Sequence, residues 1–522
     1  MKTLVLILVM ASCSASLWSQ GTWMRVIGTQ TVKQEVTATA TTSDGGLIVL
    51  GQLVTSSGND MFVARLDRDG SILWNKFFGG SYNDIASAVV VNAKDELTVI
   101  GYTSSLDDIF ADKNVVDYDI FYLKLDQKGN LRDLRVIGGS KLDFSSDAVL
   151  TPDGGMIISG TSNSQDGPFA GLNPEGRERY YILKVDAAGN IVWLRLFQRG
   201  FGIADIVLDN KGDAIAVGVV RKDSTSQKSQ DLDIIMIKID DVGDTTNIVR
   251  YGTDLDEIAL SLSLLPNGDY VIAGSVHNSL TEPLNFGHRD VLVTLLTASG
   301  EIRWTRELRG SKEDLGMGAV STSDGHIMLV GESWSNDRDF VGLTGKYRDV
   351  FLAKYDRAGT LVWLRNYGGS STDYNPTIEK AGSDGVYLVA RSASRDGDMT
   401  GYGAPYPLNT STKTFVMKLD NDGKYSRSTS VVDNSPDLVA LSVSPLPVSS
   451  SATVSFSVAT ESIVRIELIN ALGQVIGLLY HETTQPGAHQ VSMATSSLPT
   501  GAYTLRMTSN TGIATSSVMV VH

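Results

Sequence analysis

Apolar residues in this chain fall in short runs broken by Gly, Asp and Asn. The run Asp349-Val-Phe-Leu-Ala-Lys-Tyr-Asp356 is representative. In an extended chain Val350 and Leu352 face one way, and Phe351 and Ala353 the other. A sheet with one wet face would alternate apolar and polar residues. Apolar positions on both faces therefore predict a strand whose sheet is covered on both sides. No segment between residues 22 and 432 shows the 3.6-residue period of an amphipathic helix.

The runs belong to a repeat. Asp67, Asp126, Asp186, Asp240, Asp356 and Asp420 each stand three residues before a glycine (Gly70, Gly129, Gly189, Gly243, Gly359 and Gly423), and Thr297 stands before Gly300 in the same way. Four copies place tryptophan four residues further on: Trp74, Trp193, Trp304 and Trp363. A period of about 58 residues, copied seven times, marks one architectural unit. Within each unit a Trp-bearing strand is followed by a second strand and then a turn such as Asp44-Gly45, Asp153-Gly154, Asn267-Gly268, Asp324-Gly325 or Asp384-Gly385. These pairs reach positive φ cheaply and predict hairpins. A third strand ends on glycine (Gly51, Gly101, Gly160, Gly218, Gly274, Gly331; Ala390 in the last copy), and a variable loop leads to the fourth.

Four meandering strands per unit, covered on both faces, predict the blades of a seven-bladed β-propeller. Trp23-Met24-Arg25-Val26-Ile27-Gly28 resembles Trp74-Asn75-Lys76-Phe77-Phe78-Gly79, so the chain opens with an extra Trp-bearing strand. This strand is predicted to add to the last blade and close the ring, which removes exposed sheet edges. After Asp433-Asn434-Ser435-Pro436 the repeat stops, and short alternating strands such as Ala452–Val458 predict a small Ig-like β-sandwich. The expected organisation is a signal peptide over 1–19, the propeller over 22–432, a linker over 433–443 and the C-terminal domain over 444–522.

Composition narrows the function classes. With 42% apolar and 20% charged residues the chain is foldable, and its net charge of -15 argues against nucleic acid and anionic membrane surfaces. Lys2 followed by the apolar run Leu4 to Met10 and small residues to Ser16 fits an export signal too short to span a bilayer. No later run is long enough for a transmembrane helix. The one cysteine, Cys13, lies within the signal, as a small residue near the cleavage region or as a lipid-attachment site. The mature chain is therefore expected to lack disulfides and thiol chemistry.

The last unit resembles the C-terminal sorting domain of the type IX secretion system of Bacteroidetes-type bacteria. The matching elements are Ser444-Pro445-Leu446-Pro447, Leu472-Gly473-Gln474-Val475, Gly487-Ala488-His489 and Leu498-Pro499-Thr500-Gly501-Ala502-Tyr503. Leu446 stands where the family has Asn, and the final strand lacks the usual basic residues. The resemblance implies passage across the outer membrane by that machinery, removal of the domain, and release or attachment at the cell surface. The repeats are similar to propeller modules of secreted proteins from the same bacteria, with remnants of a Ser-x-Asp-Gly-Asp pattern at Ser394–Asp398 and Ser335–Asp339. Asp-x-x-Gly-x-x-x-Trp also resembles the repeat of quinoprotein dehydrogenases. Seven copies without a mature cysteine favour packing of Trp between blades instead of cofactor stacking.

The variable loops should project on one face of a closed ring and are the candidate ligand surface. Their large apolar residues are Phe110, Phe169, Phe286, Trp334, Phe340, Tyr402 and Tyr406. Each either stacks on a ligand or pins its loop to its own blade. No catalytic residue or metal ligand is nominated, because His-Glu-x-x-His, Gly-x-Ser-x-Gly and phosphate-loop motifs are absent. No cofactor is expected. The Asp-rich turns lack the ligand spacing of a calcium loop, and Asp396-Gly397-Asp398 is the best calcium candidate. The expected role is non-catalytic binding or adhesion to a glycan or protein outside the cell. The alternative is a carbohydrate-active hydrolase or lyase using carboxylates in the central funnel.

Overall fold

The computed structural model of the chain describes residues 21–27, 33–54, 58–197, 201–222, 232–277, 289–343, 346–383, 385–400, 413–425, 441–444, 448–458, 462–470, 475–496, 498–509 and 512–521. Seven four-stranded antiparallel sheets form the blades. Blades 1 to 6 each use four consecutive strands and span 33–78, 84–137, 143–196, 201–251, 256–308 and 314–367. Blade 7 combines Asp373–Lys380, Gly385–Ser392 and Lys413–Asp420 with the leading strand Trp23–Ile27, whose Trp23 pairs with Lys418 and Ile27 with Thr414. The inner strand of blade 7 packs on that of blade 1, so the ring closes. The seven-bladed propeller and its closing strand are as the sequence predicts. Each blade begins one strand after the Trp-bearing strand, which is the outer strand of the preceding blade.

Each Asp-x-x-Gly segment turns the chain from third to outer strand. Asp67 Oδ1 accepts the N–H groups of Asp69 (2.9 Å) and Ser71 (2.8 Å), and Asp420 Oδ1 accepts those of Asp422 (2.9 Å) and Lys424 (2.8 Å). The carboxylates of these turns are thus engaged by their own backbone, the structural alternative to a calcium loop. The glycine takes φ +82° at Gly70 and +86° at Gly243, a conformation that costs glycine little.

The same glycine seats the tryptophan of the preceding blade. A Cβ on Gly70 would lie 2.8 Å from the Trp23 ring, on Gly129 3.0 Å from Trp74, on Gly243 2.7 Å from Trp193 and on Gly359 2.8 Å from Trp304. Each indole N–H donates to a carbonyl of the same turn: Trp23 to Arg68 (2.8 Å), Trp74 to Gln127 (2.8 Å), Trp193 to Asp241 (2.9 Å) and Trp304 to Arg357 (3.1 Å). Tryptophan therefore packs between blades. In blade 4, which lacks the tryptophan, the Tyr251 hydroxyl donates to the Gly300 carbonyl (2.6 Å), a bond that Tyr367 of blade 6 makes to Gly423 (2.6 Å).

One expectation is corrected. The strand that the sequence pattern ends on glycine continues past it: Gly51 lies inside Leu47–Val54 and Gly331 inside Ile327–Ser333. The glycine answers a β-bulge in the facing inner strand, such as that between Val36 and Ala38 or between Gly316 and Gly318. There the inner-strand carbonyls of Glu35 and Leu315 come too close to admit a Cβ.

The C-terminal domain is a sandwich of a three-stranded sheet (Leu441–Ser444, Ser451–Val458, Gly487–Ala494) and a four-stranded sheet (Val475–Thr484, Ser462–Asn470, Gly501–Ser509, Gly512–Val520). Val454, Phe456, Ile466, Leu505 and Met507 are buried in its core. Among the described residues no helix is long and apolar enough to cross a membrane.

Trp23→Ala is expected to destabilise the propeller by about 3–5 kcal/mol. Gly243→Ala, which adds a Cβ at a positive φ against Trp193, should cost about 1–3 kcal/mol. Denaturant unfolding of the two variants checks both values.

Candidate binding face at the channel mouth

Each inner strand starts at the end of the blade where the second strand finishes and the third begins. The variable loops and the inter-blade turns therefore share one face, where they are laced together. In blade 2, Asp84 accepts the Gly80 N–H (2.7 Å), the Thr103 hydroxyl (2.5 Å) and the Ser105 hydroxyl (2.9 Å), while the Ser81 N–H donates to Asp107 Oδ1 (2.7 Å). The set recurs in blade 7, where Asp373 accepts from Gly369 (2.9 Å) and Ser394 (3.0 Å) and Ser370 donates to Asp396 (2.7 Å). The Ser-x-Asp loop pattern thus anchors the neighbouring turn. Asp398, the other carboxylate of the calcium candidate, accepts the Gly368 N–H (3.0 Å) and the Tyr425 hydroxyl (2.6 Å). Among the described residues no group of three His, Cys, Asp or Glu is placed to hold a metal.

The nominated rings separate into three groups. Phe110, Phe169 and Phe340 are fully buried and lie 5.5, 5.6 and 5.3 Å from Phe121, Tyr181 and Phe351 of their own blades. They pin the loops, and Met399 is buried at the corresponding place in blade 7. Phe286, Tyr402 and Tyr406 lie outside the described residues. Trp334 alone is partly exposed. The exposed apolar side chains of this face are others, among them Tyr82, Leu106, Val116, Leu172, Val341 and Tyr347.

Trp334 belongs to a ladder of stacked charges and rings at the mouth of the central channel. The Arg348 guanidinium lies 4.1 Å from the Trp334 ring centre and 5.4 Å from that of Tyr374, and Arg391 lies 4.5 Å from Tyr374. Arg348 pairs with Glu332 (3.2 Å) and Arg391 with Glu35 of blade 1 (3.1 Å). Glu332 and Arg391 are only 3% and 2% exposed, so each charge depends on its partner. Burial pushes the Glu332 carboxyl above its ordinary range, and Arg348 opposes that shift.

The ladder sits where the repeat breaks. Six copies have glycine opposite the inner-strand bulge, and blade 7 has Ala390. In the other blades a Cβ at this position would meet the facing carbonyl, and in blade 7 the facing strand skips its pairing between Tyr374 and Thr377. Asn375 there adopts φ +51°, and Pro376 has no N–H to pair. The freed Asn375 N–H donates to Glu332 Oε2 of blade 6 (3.1 Å), and Asn375 is exposed. A strained polar residue held by a buried charge is a common feature of binding sites. Across the mouth, Phe144 lies 4.8 Å from Tyr102 and 5.5 Å from Tyr118, all partly exposed. Ala390 and Pro376 were the available sequence signals, but only pairing register reveals their effect.

Deeper in the channel the inner strands bring Asp147 and Asp205 into hydrogen-bond contact. Asp147 Oδ2 also accepts the Ile206 N–H (3.1 Å), and Asp205 Oδ2 accepts the Leu262 N–H (2.7 Å). Burial and the neighbouring Asp205 charge raise Asp147 well above the carboxylate range. Glu379, bonded by the Thr39 hydroxyl (3.3 Å), is pushed to about 8 by burial, with the Asp205 charge adding.

Residues 442–521 match the secretion system C-terminal sorting domain family, and this part of the chain is such a domain. No curated protein matches the chain. Among solved structures the chain is similar to a protein of unknown function from Bacteroides caccae (14% identity, TM-score 0.34, covering 59% of this chain and 90% of that one). It is also similar to puromycin hydrolase (13%, TM-score 0.46, 81% and 58%) and to the polysaccharide lyase Uly1 (10%, TM-score 0.44, 74% and 89%). Likeness at this level says nothing of function.

Phe340→Ala should cost about 3 kcal/mol and accelerate amide exchange across loop residues 336–343, while Trp334→Ala should leave that exchange unchanged. Hydrogen-exchange mass spectrometry separates the two.

Proposed function

We propose that the propeller is a secreted, non-catalytic binding module whose ligand docks on the loop face at the channel mouth, over blades 6 and 7. The observation that carries this reading is the repeat break at Ala390, which frees Asn375 beside the Trp334–Arg348 stack. The site offers an aromatic face, an exposed amide and the edge of a guanidinium, with its two arginines balanced by Glu332 and Glu35. That combination suits a neutral glycan, whose C–H faces stack on indole and whose hydroxyls pair with amide and guanidinium edges. The chain's net charge of -15 disfavours a polyanion. The C-terminal domain supports export by the type IX machinery to the outside of the cell, with the mature ring released or held at the surface.

A second reading rests on the hydrogen-bonded carboxyls of Asp147 and Asp205. One protonated and one ionised carboxyl in a channel is an arrangement that hydrolases use. It predicts turnover of a polysaccharide that Asp147→Asn abolishes.

Glycan-array binding of the purified chain, with a hydrolase and lyase screen on the same sugars, distinguishes the two. The binding reading expects saturable binding without turnover. Trp334→Ala and Arg348→Met should weaken it roughly tenfold or more. Ala390→Gly, which removes no contacting group, should also weaken it by letting Asn375 return to the strand. Turnover, or unchanged affinity in all three variants, contradicts it.

A further inference from the structure

Carboxyl groups meet across most of the blade interfaces. Asp60 is the second residue of the third strand of blade 1 (Asn59–Leu66) and Asp84 the first of the inner strand of blade 2, and a Cβ on Gly79 would meet both carboxyls. Asp119 and Asp143 repeat the arrangement between blades 2 and 3, and Asp147 with Asp205 joins blades 3 and 4 through the channel wall. Asp314 faces Asp290 between blades 5 and 6, and Asp373 faces Asp349 between blades 6 and 7. Asp84, Asp119, Asp143, Asp314 and Asp373 are all at most 2% exposed.

The surroundings of the first three pairs are acidic too. Asp107 and Asp108 act on Asp84 and Asp60. Asp117 acts on Asp119, and Asp166, itself beside Lys141, acts on Asp143. Glu379 lies within reach of Asp205. Between blades 5 and 6, Arg309 is near Asp290 but pairs with Glu307 (2.8 Å). Between blades 4 and 5 cations meet the pair: Lys222 (3.5 Å) and Arg250 (2.9 Å) bind Asp233 beside Glu257.

Two carboxyls that converge at a blade junction resist ionising together; Asp119 and Asp143 are buried there, and Asp60 is half-buried. In each of the first two pairs one member is the better-bonded anion: Asp84 accepts one N–H and two O–H groups, and so does Asp143, and these bonds oppose the upward push of burial on both. The other member, Asp60 or Asp119, is left to carry the proton. We propose that these pairs are proton clamps, in which one carboxyl stays neutral beside its anionic neighbour, and that the ring loosens between blades when that proton is lost.

The pH window follows from the shifts. Burial raises Asp60 to about 6 and Asp119 to about 7, in each case with a neighbouring carboxylate adding. An unfolded aspartate titrates near ~3.9. The folded ring therefore holds protons that the unfolded chain has released, and its stability falls as pH rises from about 4 through 7. Carboxylates held low, such as Asp153 at about 2 through Thr151 and Lys184, withdraw stability only below about pH 4.

The test is thermal unfolding of the full chain from pH 4.5 to 8.5 at constant ionic strength, with Asp119→Asn and Asp147→Asn alongside. Asparagine reproduces a neutral carboxyl that cannot ionise. The wild type should melt lower at pH 8 than at pH 5, by about 2–4 °C or more, and each variant should show a smaller difference. Because a variant can fail to fold, the wild type is also followed by infrared spectroscopy. A protonated carboxyl band should be present at pH 5.5 in the folded state and fade by pH 8.5. A melting temperature equal or higher at pH 8, or no such band at pH 5.5, overturns the proposal.

Discussion

A tryptophan seated on a glycine sets how neighbouring blades meet at five of the seven junctions, the closing one included, and the ring depends on it. The aspartate of the turn holds the glycine at positive φ, the bare α-carbon admits the indole, and the turn carbonyl takes the indole N–H. The contact is hydrophobic and directional at once, so it fixes separation as well as angle. At the seam Trp23 makes the same contact with Gly70 that Trp74 makes with Gly129. The leading strand therefore belongs to the last blade because its tryptophan needs the first blade's turn.

A closed ring of near-identical units leaves function to the places where units differ. Loop anchors recur from blade to blade, and so do the turns. The clearest departure is Ala390 in place of glycine, opposite a strand that skips its pairing at Asn375 and Pro376 at the channel mouth. The strain at Asn375 is offset by Glu332, and Glu332 is held by Arg348. Blades 6 and 7 thus acquire a polar, aromatic mouth built on stacked arginines. The carboxyl pairs are a second consequence of the repeat. Aspartates at or near the starts of inner and third strands serve one blade's turns, and copying them places like charges across most of the interfaces.

The fold was legible because its determinants are local. Asp-x-x-Gly turns and Asp-Gly hairpins act within five residues, and two-sided apolar strands declare their burial. The closing strand was legible through its likeness to Trp74–Gly79. The site was less so. Phe110, Phe169 and Phe340 occupy the loops as expected, yet a short helical turn in each loop rotates the ring onto its own blade. Neighbours such as Leu172 and Val341 are turned outward instead. The pairing of Asp147 with Asp205 depends on inter-blade facing, which no local pattern encodes.

The account stands on a ring closed by residues 23–27, and a cross-strand cysteine pair tests that most directly. Arg25 and Val416 are direct partners in the antiparallel ladder, within the Cα separation a disulfide accepts. The double variant Arg25→Cys, Val416→Cys should form an intrachain disulfide under mild oxidation of the native monomer, detected by peptide mass mapping. Thiols that stay free, or bridges found only between chains, would contradict the closed ring.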